Sequence, residues 1–115
     1  MAAGVVHLPI YATGFRGDQI EQELERLSAV SLRYGATRYQ VFRGRDDRYA
    51  FLVVLHFEQK IDWERYWEGP ECTDFRIACQ GWFQVPVVYG WKDLVCEGGA
   101  SAPHSNGATI KSAAV

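Results

Sequence analysis

The longest apolar run in the chain covers residues 49–57, and an aromatic helical pattern follows it directly. Apolar side chains occupy both faces of this run, so the pattern predicts a strand that is covered on both sides. The helical pattern carries Trp63 and Trp67, four residues apart. Gly69-Pro70 interrupts it, because proline lacks a backbone donor and disfavours a helical residue before it. A helix is expected to resume over residues 71–80.

The rest of the pattern predicts three further strands and one further helix. Alternating apolar residues indicate strands at 5–12, 37–43 and 85–95, with a hairpin turn at 44–48. Pro9 cannot donate to a ladder, which favours an edge strand or a bulge there. Apolar residues every three or four positions predict a helix with Asp18 as its N-cap, ending near Tyr34 before Gly35. The elements therefore follow the order β-α-β-β-α-β.

This order predicts an α+β, ferredoxin-like fold, a four-stranded antiparallel sheet with two helices on one face. Two helices cover only one face of the sheet, yet the strand at 49–57 is apolar on both. A sheet face that is apolar and exposed is typical of an association surface. The sequence therefore predicts a homodimer in which two sheets pack face to face and form an α/β barrel.

Composition sets the extent of the domain. The chain has 115 residues and a hydrophobic fraction of 48%, which suits one domain with a core of its own. We assign this domain to residues 1–96. From residue 97 onward the composition shifts to Gly, Ala and Ser, so residues 97–115 are expected to form a disordered tail.

Charge and motif content narrow the possible partners. The net charge of −2 and the absence of a basic face argue against binding to nucleic acid. No apolar run is long enough to span a membrane, and the N-terminus lacks signal-peptide features, so a cytoplasmic location is expected. The three cysteines form neither a CxxC pair nor a Cys/His cluster, and we predict no metal site. No phosphate-binding or nucleotide-binding motif occurs, and we expect no cofactor.

The run LHFEQKIDWERYWEGPE carries a resemblance to a known group of proteins. Together with the order of elements, it resembles the strand-to-helix junction of the antibiotic-biosynthesis-monooxygenase-type branch of the dimeric α/β-barrel superfamily, over about residues 5–95. The resemblance implies a cofactor-independent monooxygenase or isomerase that acts on a small aromatic or polyketide-like molecule. Because members of one fold differ in activity, the alternative is a non-catalytic dimeric module that binds a ligand or a partner.

In that superfamily the pocket lies between the sheet and its helices, and seven residues are candidates for it here. His56 and His7 are the predicted catalytic bases, since histidine titrates near neutral pH. The predicted ligand-binding residues are Tyr11, Trp63, Trp67, Phe75 and Arg76. Each has a structural alternative: the histidines could be hydrogen-bonded core or interface residues, the aromatic residues could form the apolar face of a helix, and Arg76 could pair with Asp74.

Haem degradation, which also occurs in the superfamily, is not expected. The resemblance places Trp67 where haem-degrading members carry a helix tryptophan. Those members also have an asparagine on the first strand and a histidine ligand on the second helix. The only asparagine here is Asn106, in the predicted tail, and residues 72–80 contain no histidine.

Overall fold

The computed structural model describes residues 3–100 of the chain. Its elements, in chain order, are β1 (Gly4–Tyr11), α1 (Gly17–Val30), β2 (Ala36–Arg43), β3 (Ala50–Phe57), α2 (Lys60–Trp67), α3 (Pro70–Ala78) and β4 (Gly90–Lys92). Short 3-10 turns follow α1 and α3, at Ser31–Tyr34 and Gln80–Trp82. The predicted order of elements is confirmed, with the second helix divided in two.

The four strands form one antiparallel sheet in the order β2-β3-β1-β4. Successive side chains of a strand point to opposite faces, and one face carries the buried core that packs under the helices. Its main members are Val6, Leu8, Ile10, Phe51, Val53, Leu55 and Phe57. This arrangement confirms the ferredoxin-like α+β fold.

Backbone geometry and ion pairs, rather than a side-chain cap, are found at the two ends of the first helical segment. Its N-cap is Arg16, which makes no capping bond through its side chain, so the prediction of Asp18 as N-cap is wrong. The carboxylates of Asp18 and Glu21 instead lie 2.9 Å from Nη1 of Arg43, which draws them toward the end of β2. The 3-10 turn after the helix ends at Gly35, whose φ of 114° confirms the predicted stop.

Helices α2 and α3 meet where the sequence predicts a break. Gly69 is the N-cap of α3 in an extended conformation, and Pro70 occupies the first turn. Proline is tolerated at this position because its missing donor would have no partner in the helix. The bend directs both short helices onto the same sheet, with Trp63, Tyr66 and Phe75 buried against it.

The predicted strand at 85–95 is wrong in extent, since only Gly90–Lys92 pairs with β1. Before it, the backbone N–H of Gln84 donates to the Tyr11 oxygen at 2.7 Å, and residues 85–89 then leave the sheet. The Ala12 N–H donates toward β3, to the Tyr49 oxygen. Because backbone groups alternate in direction along a strand, Pro9 faces the β4 side. The ladder between β1 and β4 is thus interrupted at Pro9, where β1 has no N–H to donate. This explains how a proline can lie on an inner strand of the sheet.

No helix of residues 3–100 covers the second face of the sheet, which we call the uncovered face. It carries the alternate residues Val5, His7, Pro9 and Tyr11 of β1, Phe42 of β2, and Leu52, Val54 and His56 of β3.

No helix in residues 3–100 is long and apolar enough to cross a bilayer. Of the predicted tail, residues 97–100 have no regular structure, and residues 101–115 lie outside the described residues.

Candidate functional site

Aromatic side chains of α2 form the centre of the helix side of the sheet. The rings of Trp63 and Trp67 are stacked, with centroids 5.2 Å apart and planes inclined by 25°. Tyr89 stands edge-on to both rings, at 4.8 Å from Trp63 and 5.6 Å from Trp67. Phe57 of β3 and Tyr66 of α2 complete what we call the aromatic cluster. The i, i+4 spacing places the two tryptophans on one helix face, and residues 85–89 bring Tyr89 against them.

The indole N–H of Trp63 has no hydrogen-bond partner among the described residues, although the side chain is 0% exposed. Buried donors are almost always satisfied, and an unsatisfied one costs about 1–3 kcal/mol. The hydroxyls of the neighbouring Tyr66 and Tyr89 are the oxygens that the cluster carries, and neither is bonded to this nitrogen. The cluster therefore presents one polar donor inside an apolar, aromatic environment.

The two buried titratable groups of the cluster region remain neutral at physiological pH. The hydroxyl of Tyr66 donates to the Leu27 carbonyl oxygen at 2.6 Å, and burial raises the pKa of this phenol. Burial also raises the pKa of the neighbouring Cys72 thiol, to about 11. Neither group supplies a base or a thiolate nucleophile near neutral pH.

Arg76 of α3 lies against the edge of the cluster. Its guanidinium is 3.9 Å from the centroid of the Trp67 ring, and Nη1 donates to the Trp67 carbonyl oxygen at 3.0 Å. Among residues 3–100 no carboxylate pairs with it, so the pairing with Asp74 considered from the sequence does not form. The cation stacks on the indole face, where the ring quadrupole attracts it.

The fold brings together only some of the seven predicted site residues. Trp63 and Trp67 are in the aromatic cluster, while Arg76 and Phe75 lie beside it on α3. Tyr11, His7 and His56 are on the uncovered face, because strand alternation sends them away from the core side.

His7 and His56 are nevertheless neighbours of each other. His7 is opposite Val54, and His56 is opposite Val5, so the two histidines are diagonal neighbours across β1 and β3. The sheet separates them from the tryptophans. Within one protomer the seven candidate residues therefore lie on two faces of the sheet and do not line one pocket.

Two open cavities lie along the uncovered face and its end. One, of about 380 Å³, is lined by Pro9, Tyr11, Phe42 and Leu52, among others. The other, of about 520 Å³, is lined by His56 and by the carboxylate residues Glu58, Asp93 and Glu97. Within the described range, no three His, Cys, Asp or Glu side chains are grouped so that they could hold a metal ion.

Phe57, Tyr66 and Tyr89 belong to the cluster but are not among the seven predicted site residues, and Tyr89 is the one whose local structure differs from the prediction. The alternation over 85–95 predicts it within a regular strand. The signals that could have located it are Pro86 and Gly90, which flank residues 87–89 and restrict a continuous ladder. In the structure this irregular segment lets Tyr89 reach across to Trp63.

Comparison of the sequence with protein-family models finds no match, and comparison with curated proteins finds none either. Solved structures do match. A Nitrosomonas europaea protein, provisionally classed as an antibiotic biosynthesis monooxygenase, superposes with a TM-score of 0.75 at 14% identity, covering 84% of this chain and 94% of that one. The protein PA3566 from Pseudomonas aeruginosa gives 0.74 at 18% identity, covering 84% and 97%.

A third similar structure is a mutant of SnoaB, a cofactor-independent oxygenase from Streptomyces nogalater. It gives a TM-score of 0.72 at 14% identity, covering 84% of this chain and 97% of that one. Identities this low establish the fold and leave the activity open. The chain therefore has the ferredoxin-like α+β fold of the antibiotic-biosynthesis-monooxygenase-type proteins.

Proposed function

We propose that this protein is a homodimeric, cofactor-independent oxygenase that acts on a small, flat aromatic molecule. The observation that carries the proposal is the unpartnered, fully buried indole N–H of Trp63 inside the aromatic cluster. The similarity in fold to SnoaB, described as a cofactor-independent oxygenase, supports the same class of reaction.

The cluster suits a flat aromatic ligand that carries an oxygen. Stacked indoles provide a platform for a planar ring, and the side chain of Tyr89 already occupies an edge-on position against that platform. A ligand ring in the place of Tyr89 would keep the aromatic contacts. Its phenolic or carbonyl oxygen would accept a hydrogen bond from the unpaired indole N–H of Trp63. This bond would remove the free-energy cost of burying an unsatisfied donor.

The same donor would favour the reactive form of the ligand. A hydrogen bond to an anionic oxygen is about twice as strong as one to a neutral oxygen, so the Trp63 N–H stabilises a phenolate or enolate more than its neutral parent. For a methylene conjugated with a carbonyl through an aromatic ring, as in an anthrone, loss of a proton to water gives a carbanion that O₂ oxidises. The balanced reaction converts CH₂ and O₂ to C=O and H₂O, with no bound cofactor.

The homodimer is the second part of the proposal. Phe42 is 51% exposed on the uncovered face, beside Pro9, Leu52 and Tyr11. A second copy packed on this face would cover these apolar side chains, as the hydrophobic effect favours. His7 and His56 would then lie in the interface. We propose them as interface residues and no longer as bases for the aromatic cluster.

A non-catalytic ligand-binding dimer is the second candidate. The specific observation in its favour is that Tyr66 and Cys72 remain neutral, while both histidines lie on the opposite sheet face. With no protein base beside the cluster, water would have to accept the proton of the substrate during turnover. A non-catalytic dimer would bind the same class of aromatic molecule without turnover.

Oxygen consumption distinguishes the two candidates. The purified protein is mixed with dihydroxyanthrone in air-saturated buffer, and both O₂ uptake and the quinone product are followed. We expect turnover above the buffer rate, and Trp63→Phe should lower kcat/KM by about tenfold or more, the loss of one hydrogen bond to a charged group. Binding of the anthrone with no O₂ uptake above buffer would establish the non-catalytic candidate.

Trp82→Phe is the matched control. Trp82 is a tryptophan packed against the same core, half-buried where Trp63 is fully buried, and it stacks under Arg16 at 4.8 Å, outside the aromatic cluster. Its replacement should leave kcat/KM unchanged. Equal losses in the two variants would indicate a general effect on folding and would contradict the role of the Trp63 donor.

A further inference from the structure

An open cavity of about 410 Å³ lies between α3 and the irregular segment that precedes β4. Its walls include Arg76 and Gln80 on one side and Phe83, Val85 and Val87 on the other. Phe83 contacts Phe75 of α3, with 5.6 Å between the ring centroids, so the cavity is on the helix side of the sheet. Its size is typical of a site for a small organic ligand.

The guanidinium of Arg76 forms a fixed cationic part of this wall. Stacking on the Trp67 ring fixes the plane of the guanidinium. The hydrogen bond from Nη1 to the Trp67 carbonyl oxygen fixes its rotation within that plane. A guanidinium has five N–H donors, and the described residues supply this one acceptor and no carboxylate. Other arginines of the described residues also lack a carboxylate partner, but Arg76 is the one that lines this cavity. A cation without a counter-ion among residues 3–100 therefore shares the cavity wall with apolar side chains and two glutamines.

We infer that this cavity binds a small organic carboxylate with an apolar, ring-sized body. The planar fork of an arginine matches a carboxylate group in two parallel hydrogen bonds, and stacking leaves the free edge of the guanidinium for them. Phe83, Val85 and Val87 would contact the apolar body. Arg76 is the one charged residue among those that line the cavity, and a single cation favours a monoanion over a doubly charged phosphate.

The site is separate from the Trp63 donor, because no residue of the aromatic cluster is among those that line the cavity. Binding there does not require that the aromatic cluster catalyse any reaction. The cavity would thus be a second binding site with its own class of ligand, and a binding measurement alone tests it.

Two probes of the same shape, one anionic and one neutral, test it. Naphthoate carries the carboxylate, and naphthamide has the same body without the charge. Isothermal titration of the full-length protein should give a Kd for naphthoate at least tenfold lower than for naphthamide. Arg76→Gln should abolish that ratio, whereas Arg65→Gln, which removes an exposed arginine paired with Asp62, should preserve it. Equal affinities for the two probes in the wild type would overturn the inference.

A second variant locates the binding site independently of Arg76. Val85 is half exposed in the cavity wall, so Val85→Phe fills the cavity without entering the core. It should weaken binding of both probes by about tenfold, with the circular dichroism spectrum unchanged. Trp63→Phe should leave the naphthoate-to-naphthamide ratio as in the wild type, even if oxygenation fails. Binding that Val85→Phe does not affect would place naphthoate elsewhere and contradict the proposed cavity.

Discussion

The ring of Tyr89 stands edge-on to the ring of Trp63, with 4.8 Å between the two centroids. Tyr89 belongs to no regular element, and it is 38% exposed, whereas Trp63 is completely buried. One partly exposed ring on an irregular segment thus packs against a fully buried indole of α2. We expect this contact to control whether solvent or a ligand can reach the indole nitrogen.

Replacing Tyr89 should expose that donor. In Tyr89→Ala the indole N–H of Trp63 loses its cover, and we expect its hydrogen exchange with solvent to accelerate at least tenfold, measured on the indole resonances by NMR. Tyr89→Phe keeps the ring and should exchange at the wild-type rate. An unchanged exchange rate in the alanine variant would show that other side chains protect the nitrogen.

The oligomeric state should depend on the uncovered face. Phe42→Glu places a charge on this face, where desolvation in an interface is costly, and we expect the variant to sediment as a monomer at micromolar concentration where the wild type is a dimer. Leu32→Glu is the matched control, because Leu32 is 49% exposed in the turn after α1, away from the sheet face. A wild-type chain that sediments as a monomer contradicts the proposed dimer.

Acid stability should depend on one hydrogen bond between α3 and the turn after α1. The Tyr34 hydroxyl donates to Oε1 of Glu71 at 2.7 Å, which lowers the pKa of this carboxyl from its ordinary value of 4.5. A lowered folded-state pKa stabilises the fold above pH 4.5, and this contribution is lost as the pH falls through the folded-state value.

Tyr34→Phe should therefore lower the urea midpoint of unfolding at pH 7. In this variant the midpoint should also decrease less than in the wild type as the pH is lowered from 5 to 3, an interval about the ordinary carboxyl pKa. Tyr39→Phe is the control, since the Tyr39 hydroxyl bonds no residue in the 3–100 range. If both variants show the wild-type pH dependence, Glu71 does not contribute to acid unfolding.

Gly35 should be intolerant of a side chain. Its φ of 114° is a conformation that costs an L-residue about 1–2 kcal/mol, and a Cβ there would lie 2.8 Å from Oδ2 of Asp62. We expect Gly35→Ala to reduce the free energy of unfolding by about 1–2 kcal/mol in urea titrations. Gly14→Ala introduces a Cβ with nothing within 4 Å and should leave stability within about 0.5 kcal/mol of the wild type.

Local patterns predict most of the fold because they depend on neighbours in sequence. The alternation in β1, β2 and β3, the break at Gly69-Pro70 and the stop at Gly35 follow from side-chain periodicity and from the backbone limits of glycine and proline. The exceptions have non-local causes. Arg43 binds the carboxylate of Asp18 in the first turn of α1, and β4 begins only at Gly90, past the point where Pro9, far away in sequence, offers no donor.

The sequence by itself determined the order of elements, the alternation of side chains along the strands and the aromatic content of α2. Only the tertiary structure decided which candidates share a site. Strand register places His7 and His56 on one face of the sheet, and the packing of α2 places Trp63 and Trp67 on the other. The physical reason is that periodicity fixes which side chains of one element point the same way. Pairing and packing between distant segments, such as Tyr89 against Trp63, decide what they meet.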